Sequence, residues 1–439
     1  MSVTTTDPCT CPERRPQADG PARPGPGGLS RRGVLARGLA AGAAGALTGL
    51  AGAGLSTRLA FAAASYTGDV LVVLSLRGGF DGLSAVVPHG DPAYYAARPV
   101  LAVPKPALLG GDAMFGLHPA LAPVLPLWRA GQLAAVHAVG QPNPSRSHFQ
   151  AMEEMERAAA GTSIRTGWLD RMLGLQGASS PLSAVAVGGA NSPRSLAGPT
   201  PDLSLRSVDS FSLAGESAKR SMAAALRTLY ADAPPVLAGP AAAVHGALSG
   251  VGAVRTTPYA PANGAVYPET ELGAALRDVA RLIKSGVGLR CATVDFGDWD
   301  MHEGAGAAVA GQPMFERLRE LALALAAFAT DLGPAGLDRV TLVTLSEFGR
   351  RVQENASRGT DHGHGNAMLL LGGGVNGGRV YGRWPGLAPS ALVAGDLAAT
   401  SDYRAVLGEI LQRRCGMGSL GSIFPGVSPT GFGVAAARA

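Results

Sequence analysis

Aromatic residues are scarce in this 439-residue chain, at 5%, and charged residues reach only 16%. The first shortage argues against a stacking platform for single-stranded nucleic acid. Low charge together with 46% apolar residues excludes a disordered polyelectrolyte and reads as a globular chain. Cysteine is also rare, with four residues. Cys9 and Cys11 fall in an N-terminal stretch that reads as unfolded or lost. Cys291 and Cys415 leave two options open, a disulfide in an oxidising compartment or a pair of buried thiols. Repeats of solenoid period are missing. So are a G-x-S-x-G elbow and the glycine spacing of a nucleotide phosphate loop.

The formal charge of +5 is unevenly placed. Residues 1–62 carry seven arginines against Asp7, Glu13 and Asp19, which leaves 30 basic and 29 acidic residues in the remainder. A near-neutral remainder has no general electrostatic claim on nucleic acid or an anionic membrane. The basic segment has its own reading. Ser30-Arg31-Arg32-Gly33-Val34-Leu35 resembles a twin-arginine export signal. A mildly apolar Ala/Gly-rich stretch follows (Leu39 to Leu55), then a small-x-small cleavage site at Ala60-Phe61-Ala62. Residues 1–62 therefore read as a disordered extension and a twin-arginine signal peptide. The stretch is short, and poor in large aliphatics, for a lasting membrane anchor. An exported protein is expected (periplasmic, cell-surface or secreted), with no stable membrane span after cleavage.

Residues 63–439 read as one α/β domain of about 375 residues. Buried strands are expected at Asp69–Leu76, Leu133–Val139, Leu182–Val187, Cys291–Asp295, Arg339–Leu345 and Ala367–Leu371, each an aliphatic, β-branched run. Helices are expected over 147–159, 269–285 and 403–413, and along the apolar face of Phe315, Leu318, Leu321, Leu325, Phe328 and Leu332. Ser147 and Gln150 have the spacing of a capping box. The Gly/Pro/Ala/Ser-rich segment at about 188–268 reads as an insertion or cap. Strands alternating with helices imply a mainly parallel sheet covered on both faces, with ligands beyond the strand carboxyl ends.

Polar residues gather at those ends. Asp81, Ser147, Asp300, His302 and Glu347 each follow an expected strand. Asp361-His362-Gly363-His364 packs a carboxylate and two imidazoles into four residues. Carboxylate oxygen with imidazole nitrogen suits a divalent metal such as zinc or manganese, and the carboxylates also suit magnesium or calcium. Plainer roles exist for each. Asp and His in turns commonly cap and brace loops, Ser147 suits an N-cap, and Glu347 suits an ion pair with Arg350 or Arg351. His118 and His137 read as structural. A catalytic role for Ser147 would use the helix N-terminus to hold an anion, with Arg146 adding charge.

Five segments carry a family resemblance: LRGGFDGLSAVVPHGDPAYYAARP (76–99), PSRSHFQAMEEME (144–156), DWDMH (298–302), LSEFGRRVQEN (345–355) and GTDHGHGNAMLLLGGGV (359–375). Together they resemble the bacterial family named domain of unknown function 1501, over about residues 69–415. That family is placed in the alkaline phosphatase-like superfamily, with sulfatases and cofactor-independent phosphoglycerate mutases. The resemblance implies a three-layer α/β/α sandwich and a metal-assisted site for phosphoryl or sulfuryl transfer on an anionic small-molecule ester. Asp81 would match the first ligand aspartate and Ser147 the nucleophile. Asp300 (or Asp298) with His302 would match the aspartate–histidine pair, and His362 or His364 the last histidine. Glu347-Phe348 stands where the superfamily has Asp-His, so one expected imidazole is missing. That departure keeps a second reading open, a non-catalytic extracytoplasmic binding or assembly protein on the same fold.

Overall fold

The computed structural model describes residues 66, 68–189, 191–217, 220–427 and 431–438. The twin-arginine segment, the cleavage site, Cys9 and Cys11 lie outside the described residues. Nine strands form one sheet: β1 (Val70–Leu76), β2 (Leu133–Gly140), β3 (Ala184–Val187), β4 (Leu203–Leu205), β5 (Cys291–Phe296), β6 (Val340–Leu345), β7 (Asn366–Gly372), β8 (Val380–Tyr381) and β9 (Ser401–Asp402). Their order is β8-β2-β7-β6-β1-β5-β3-β4, and β9 also pairs with β2. Only β7 runs against its neighbours, antiparallel to both β2 and β6; every other pairing in the sheet is parallel.

The near-continuous apolar runs follow from burial on both faces. Along β1, Leu71 and Val73 join one core while Val72, Leu74 and Leu76 join the other, the period of two of a pleated strand. On the Val72 side lie α4 (Glu271–Lys284) and α5 (Pro313–Leu337), with Leu276, Val279, Leu321, Leu325 and Phe328 facing the sheet. On the Leu71 side lie α1 (His148–Arg157), α2 (Trp168–Leu175) and α6 (Tyr403–Arg414). The fold is the expected three-layer α/β/α sandwich. Each fully buried Leu, Val or Phe contributes roughly 1.5–3 kcal/mol, so the two interfaces carry most of the stabilisation.

Local chemistry sets the helix ends. Thr270 caps α4 by accepting the Gly273 amide, Glu271 sits in its first turn, and Arg281 and Lys284 sit in its last. Helix α5 breaks at Gly333, whose φ of 66° leaves the right-handed helix just before Pro334.

Segment 188–268 is not wholly outside the sheet. Residues 203–205 form the edge strand β4, too short to stand out within a Gly/Pro/Ser-rich stretch. The 22-residue helix α3 (Pro235–Thr256) buries Ala247, Gly250, Val251 and Val254 at its C-terminal end. Among the described helices, α3 and α5 are long and apolar enough to cross a membrane; α5 is a core helix packed between the sheet and its neighbours. Cys291 and Cys415 are buried free thiols.

Candidate metal centre

Because β1, β2, β5 and β6 share one direction, their carboxyl ends open onto the same edge of the sheet. β7 runs the other way, so the loop entering it, residues 359–365, arrives at that edge too. Five loops distant in sequence therefore meet there.

Two features hold these loops together. Gly78 and Gly79 turn the chain after β1 with φ of 108° and 71°. A Cβ at Gly78 would sit 2.8 Å from the Asp300 amide nitrogen, so only glycine permits the close approach. The second feature is Arg350, buried at the centre. It donates from Nε to the Gly79 carbonyl at 2.7 Å, from Nη1 to the Thr360 carbonyl at 2.8 Å, and from Nη2 to the Trp299 carbonyl at 3.1 Å. Nη2 also donates to the Gly78 carbonyl and, at 2.5 Å, to Asp300 Oδ1. Burial pushes the Asp300 carboxyl up, but hydrogen bonds from Arg350 and His362 and the Arg350 charge outweigh it and hold the group at about 2. Asp300 is thus an anion at neutral pH.

Three imidazoles converge on that anion. His302 Nε2 lies 3.0 Å from Asp300 Oδ1, and His362 Nε2 lies 3.1 Å from the same oxygen. His148 Nε2 lies 3.4 Å from Oδ2. His362 Nε2 is also 3.0 Å from Nε2 of both His148 and His302. Meanwhile every Nδ1 faces an acceptor. His148 Nδ1 is 2.8 Å from Glu347 Oε1, His302 Nδ1 is 3.1 Å from Asp361 Oδ1, and His362 Nδ1 is 2.8 Å from the Arg146 carbonyl. Each of these oxygens orients its ring so that Nε2 turns toward Asp300.

Three imidazole nitrogens gathered beside one carboxylate make a donor set suited to a divalent cation. The separations among His148, Asp300 and His362, 3.0–3.4 Å, lie close to the roughly 3.3 Å spacing of neighbouring ligands with zinc bonds of about 2.0–2.1 Å. Ligand atoms of His148, Asp300 and His362 all lie within 4.8 Å of one another. Imidazole nitrogen with one carboxylate oxygen is the donor set of a borderline divalent ion such as zinc, rather than of magnesium or calcium. These residues fit a metal.

Asp300, His302 and His362 lie together, and several other candidate residues lie elsewhere. Asp81 is corrected: its carboxylate is 2% exposed and held in a buried ion pair by Arg98, at 2.6 Å and 3.0 Å, with Ser84 Oγ at 2.7 Å, and it contacts none of the cluster residues. Burial pushes its carboxyl up, but the Arg98 charge and hydrogen bonds win and hold it below the usual range. Asp298 points away into an ion pair with Arg317. His364 faces the Gln141 carbonyl at 2.9 Å and is not in the cluster.

Glu347 and Asp361 stand one step back, orienting His148 and His302. Glu347 also accepts the Gly78 amide at 2.8 Å and pairs with neither Arg350 nor Arg351. Arg146 contributes its carbonyl, while its guanidinium is taken by Asp396 at 2.6 Å. The capping box does not form: Ser147 makes no side-chain cap bond, and Gln150 instead accepts from Ser145 Oγ at 3.0 Å. Ser147 is exposed at the N-cap of α1, next in the chain to a cluster histidine.

His148 was missed by the sequence reading. Its signal was its place beside Ser147, at the first position of a helix opening on the strand-end edge. It supplies an imidazole where Phe348 supplies none. The Phe348 ring packs against those of His148 and His362, with centroids 4.8 Å and 4.7 Å away.

Residues 132–408 match the family described as protein of unknown function (DUF1501). No curated protein matches the chain at a significant level. Solved structures similar to it include the C-terminal periplasmic domain of EcEptC from Escherichia coli in complex with Zn, at 9% identity, over 70% of this chain and 73% of that one, with a TM-score of 0.34. A protein in the alkaline phosphatase superfamily from Vibrio parahaemolyticus is similar at 10% identity, over 70% and 60%, with a TM-score of 0.32. The phosphonate monoester hydrolase of Agrobacterium radiobacter is similar at 12% identity, over 83% and 78%, with a TM-score of 0.32.

Proposed function

This chain belongs to the DUF1501 family, and from that premise we propose that it is an exported, metal-dependent hydrolase of phosphate or sulfate esters. The observation that carries the reading is the convergence of three Nε2 atoms on the Asp300 carboxylate. His148, Asp300 and His362 would hold a divalent cation, zinc or a similar ion, with His302 beside Asp300 and His362 as a further ligand. When bound, such an ion supplies a Lewis acid that withdraws charge from an ester oxygen.

The chain's own residues supply the rest. Ser147 is the nucleophile: its hydroxyl is exposed and makes no cap bond, its oxygen bonds to the phosphorus or sulfur as the bond to the ester oxygen breaks, the hydroxyl proton passes through solvent to that leaving oxygen, and water then cleaves the seryl ester and restores the serine. The ten-residue helix α1 begins at His148, so its first-turn amides and positive end face the anionic group. Glu347 and Asp361 orient His148 and His302 through their Nδ1 atoms. Arg350 keeps Asp300 ionised and ties the Gly78–Gly79, Trp299–Asp300 and Thr360 segments into one frame. Phe348 fills the volume of the expected histidine, and its apolar ring narrows water access to the rings it touches. Export by the twin-arginine route, with cleavage after Ala62, belongs to the same proposal.

The test is elemental analysis of the purified native protein, followed by assay on aryl phosphate and aryl sulfate esters with and without chelator. Expected are bound transition metal, chelator-sensitive turnover, and loss of turnover in Ser147→Ala. Protein without metal after zinc loading, or turnover unaffected by chelator and by Ser147→Ala, overturns the reading. Mass spectrometry of the exported protein's N-terminus tests the leader.

A further inference from the structure

We propose that Asp396, which touches none of the cluster side chains, is a positioning residue for two of its histidines; this rests on the metal-centre reading above. Asp396 closes the 393–396 turn, in which the Val393 and Asp396 amides and carbonyls bond each other at 3.0 Å. Ala394 and Gly395 take φ of 52° and 84° there. The carboxylate is nearly sealed from solvent, with its side chain 6% exposed. Its Oδ2 accepts from Arg146 Nη2 at 2.6 Å, and its Oδ1 lies 3.5 Å from Arg351 Nε. Both arginines also reach the Ala394 carbonyl, Arg146 at 3.4 Å and Arg351 at 2.8 Å.

The backbones of these two arginines serve different histidines. The Arg146 carbonyl faces His362 Nδ1 at 2.8 Å. The Arg351 amide donates to the Asp361 carbonyl at 2.9 Å, and Asp361 Oδ1 faces His302 Nδ1 at 3.1 Å. One buried carboxylate, through a hydrogen bond to Arg146 and its charge beside Arg351, which the same turn holds at the Ala394 carbonyl, therefore links both chain segments that orient His362 and His302. Such an anchor acts on metal affinity because ligands bind productively only within a few tenths of an ångström and 10–20° of the required geometry. Outer partners of metal-bound histidines are typically worth about 10–100-fold in affinity. Asparagine at 396 keeps the shape and loses the charge that draws two guanidiniums together.

The experiment is zinc titration of the full chain against a chromophoric chelator, with the metal-free melting temperature measured in parallel. Asp396→Asn and Arg146→Ala are expected to weaken zinc binding about tenfold or more, and Arg146→Lys, which keeps a cation opposite Asp396, to fall short of that loss. Zinc should also raise the melting temperature less in Asp396→Asn than in wild type. If Asp396→Asn does not fold, Arg146→Ala and Arg351→Ala, each cutting one arm, are read by the same criterion. Affinities within about twofold of wild type overturn the positioning role, whatever the metal-free stability does. Wild-type protein that binds no zinc overturns the metal-centre reading itself, and this proposal with it.

Discussion

Replacing His148 with alanine removes one of three imidazoles from the cluster and leaves the Glu347 carboxylate with the Gly78 amide and Ser346 hydroxyl as partners. Two separable effects follow. Zinc held by four protein ligands binds with about 10–16 kcal/mol, so one ligand accounts for roughly 3 kcal/mol. At about 1.4 kcal/mol per decade, affinity should fall by about two orders of magnitude. In metal-free protein, the buried Glu347 loses a hydrogen bond, which costs about 1–3 kcal/mol. Titration with zinc against a competing chelator measures the first effect, and urea unfolding in excess chelator measures the second. His364→Ala is the contrast, because His364 meets only the Gln141 carbonyl and its loss should leave zinc affinity within about threefold. The reasoning is refuted if His148→Ala binds zinc as tightly as wild type, or if His364→Ala loses binding and His148→Ala does not.

Three further outcomes follow from the same geometry. Asp81→Asn should destabilise the protein by about 3–5 kcal/mol, because it strands the buried Arg98 charge, while zinc stoichiometry stays unchanged; chemical unfolding and metal analysis read the two. Since the Asp81 carboxyl is held below its ordinary value in the folded state, its stabilisation is complete above the unfolded-state value near 3.9 and is lost as pH falls through the lower folded value, so the variant's stability should vary less with pH in that acid range. Gly78→Ala forces a Cβ to within 2.8 Å of the Asp300 amide at a φ of 108°, and should lower both melting temperature and zinc affinity more than Gly286→Ala, where nothing lies within 4 Å and the φ is also positive. Burial pushes the Cys291 and Cys415 thiols upward, Cys415 to about 12, so both should resist alkylation at pH 8 in native protein and react fully in denaturant.

Much of this molecule is written locally. The runs at 70–76, 133–140, 291–296 and 340–345 are strands because β-branched and aliphatic residues without polar relief can only be buried on both faces. The three- and four-residue spacing from Phe315 to Leu332 is a helix face on any fold. From these alone come the layered α/β architecture and the edge where polar residues gather. Asp300, His302 and His362 could be picked out because metal-binding residue types recurred next to strand ends. Proximity in space was not local. Asp81 has the same residue type and strand-end position as Asp300, yet Arg98, seventeen residues away, holds it in a buried ion pair, and no spacing rule announces that pairing. His148 looked like an ordinary first residue of a helix until Glu347, 199 positions later, met its Nδ1 and turned its Nε2 toward Asp300. The antiparallel course of β7 brought the 361–364 loop to the edge where the parallel strands end. Strand composition carries no sign of direction, which is decided only when the chain closes on itself.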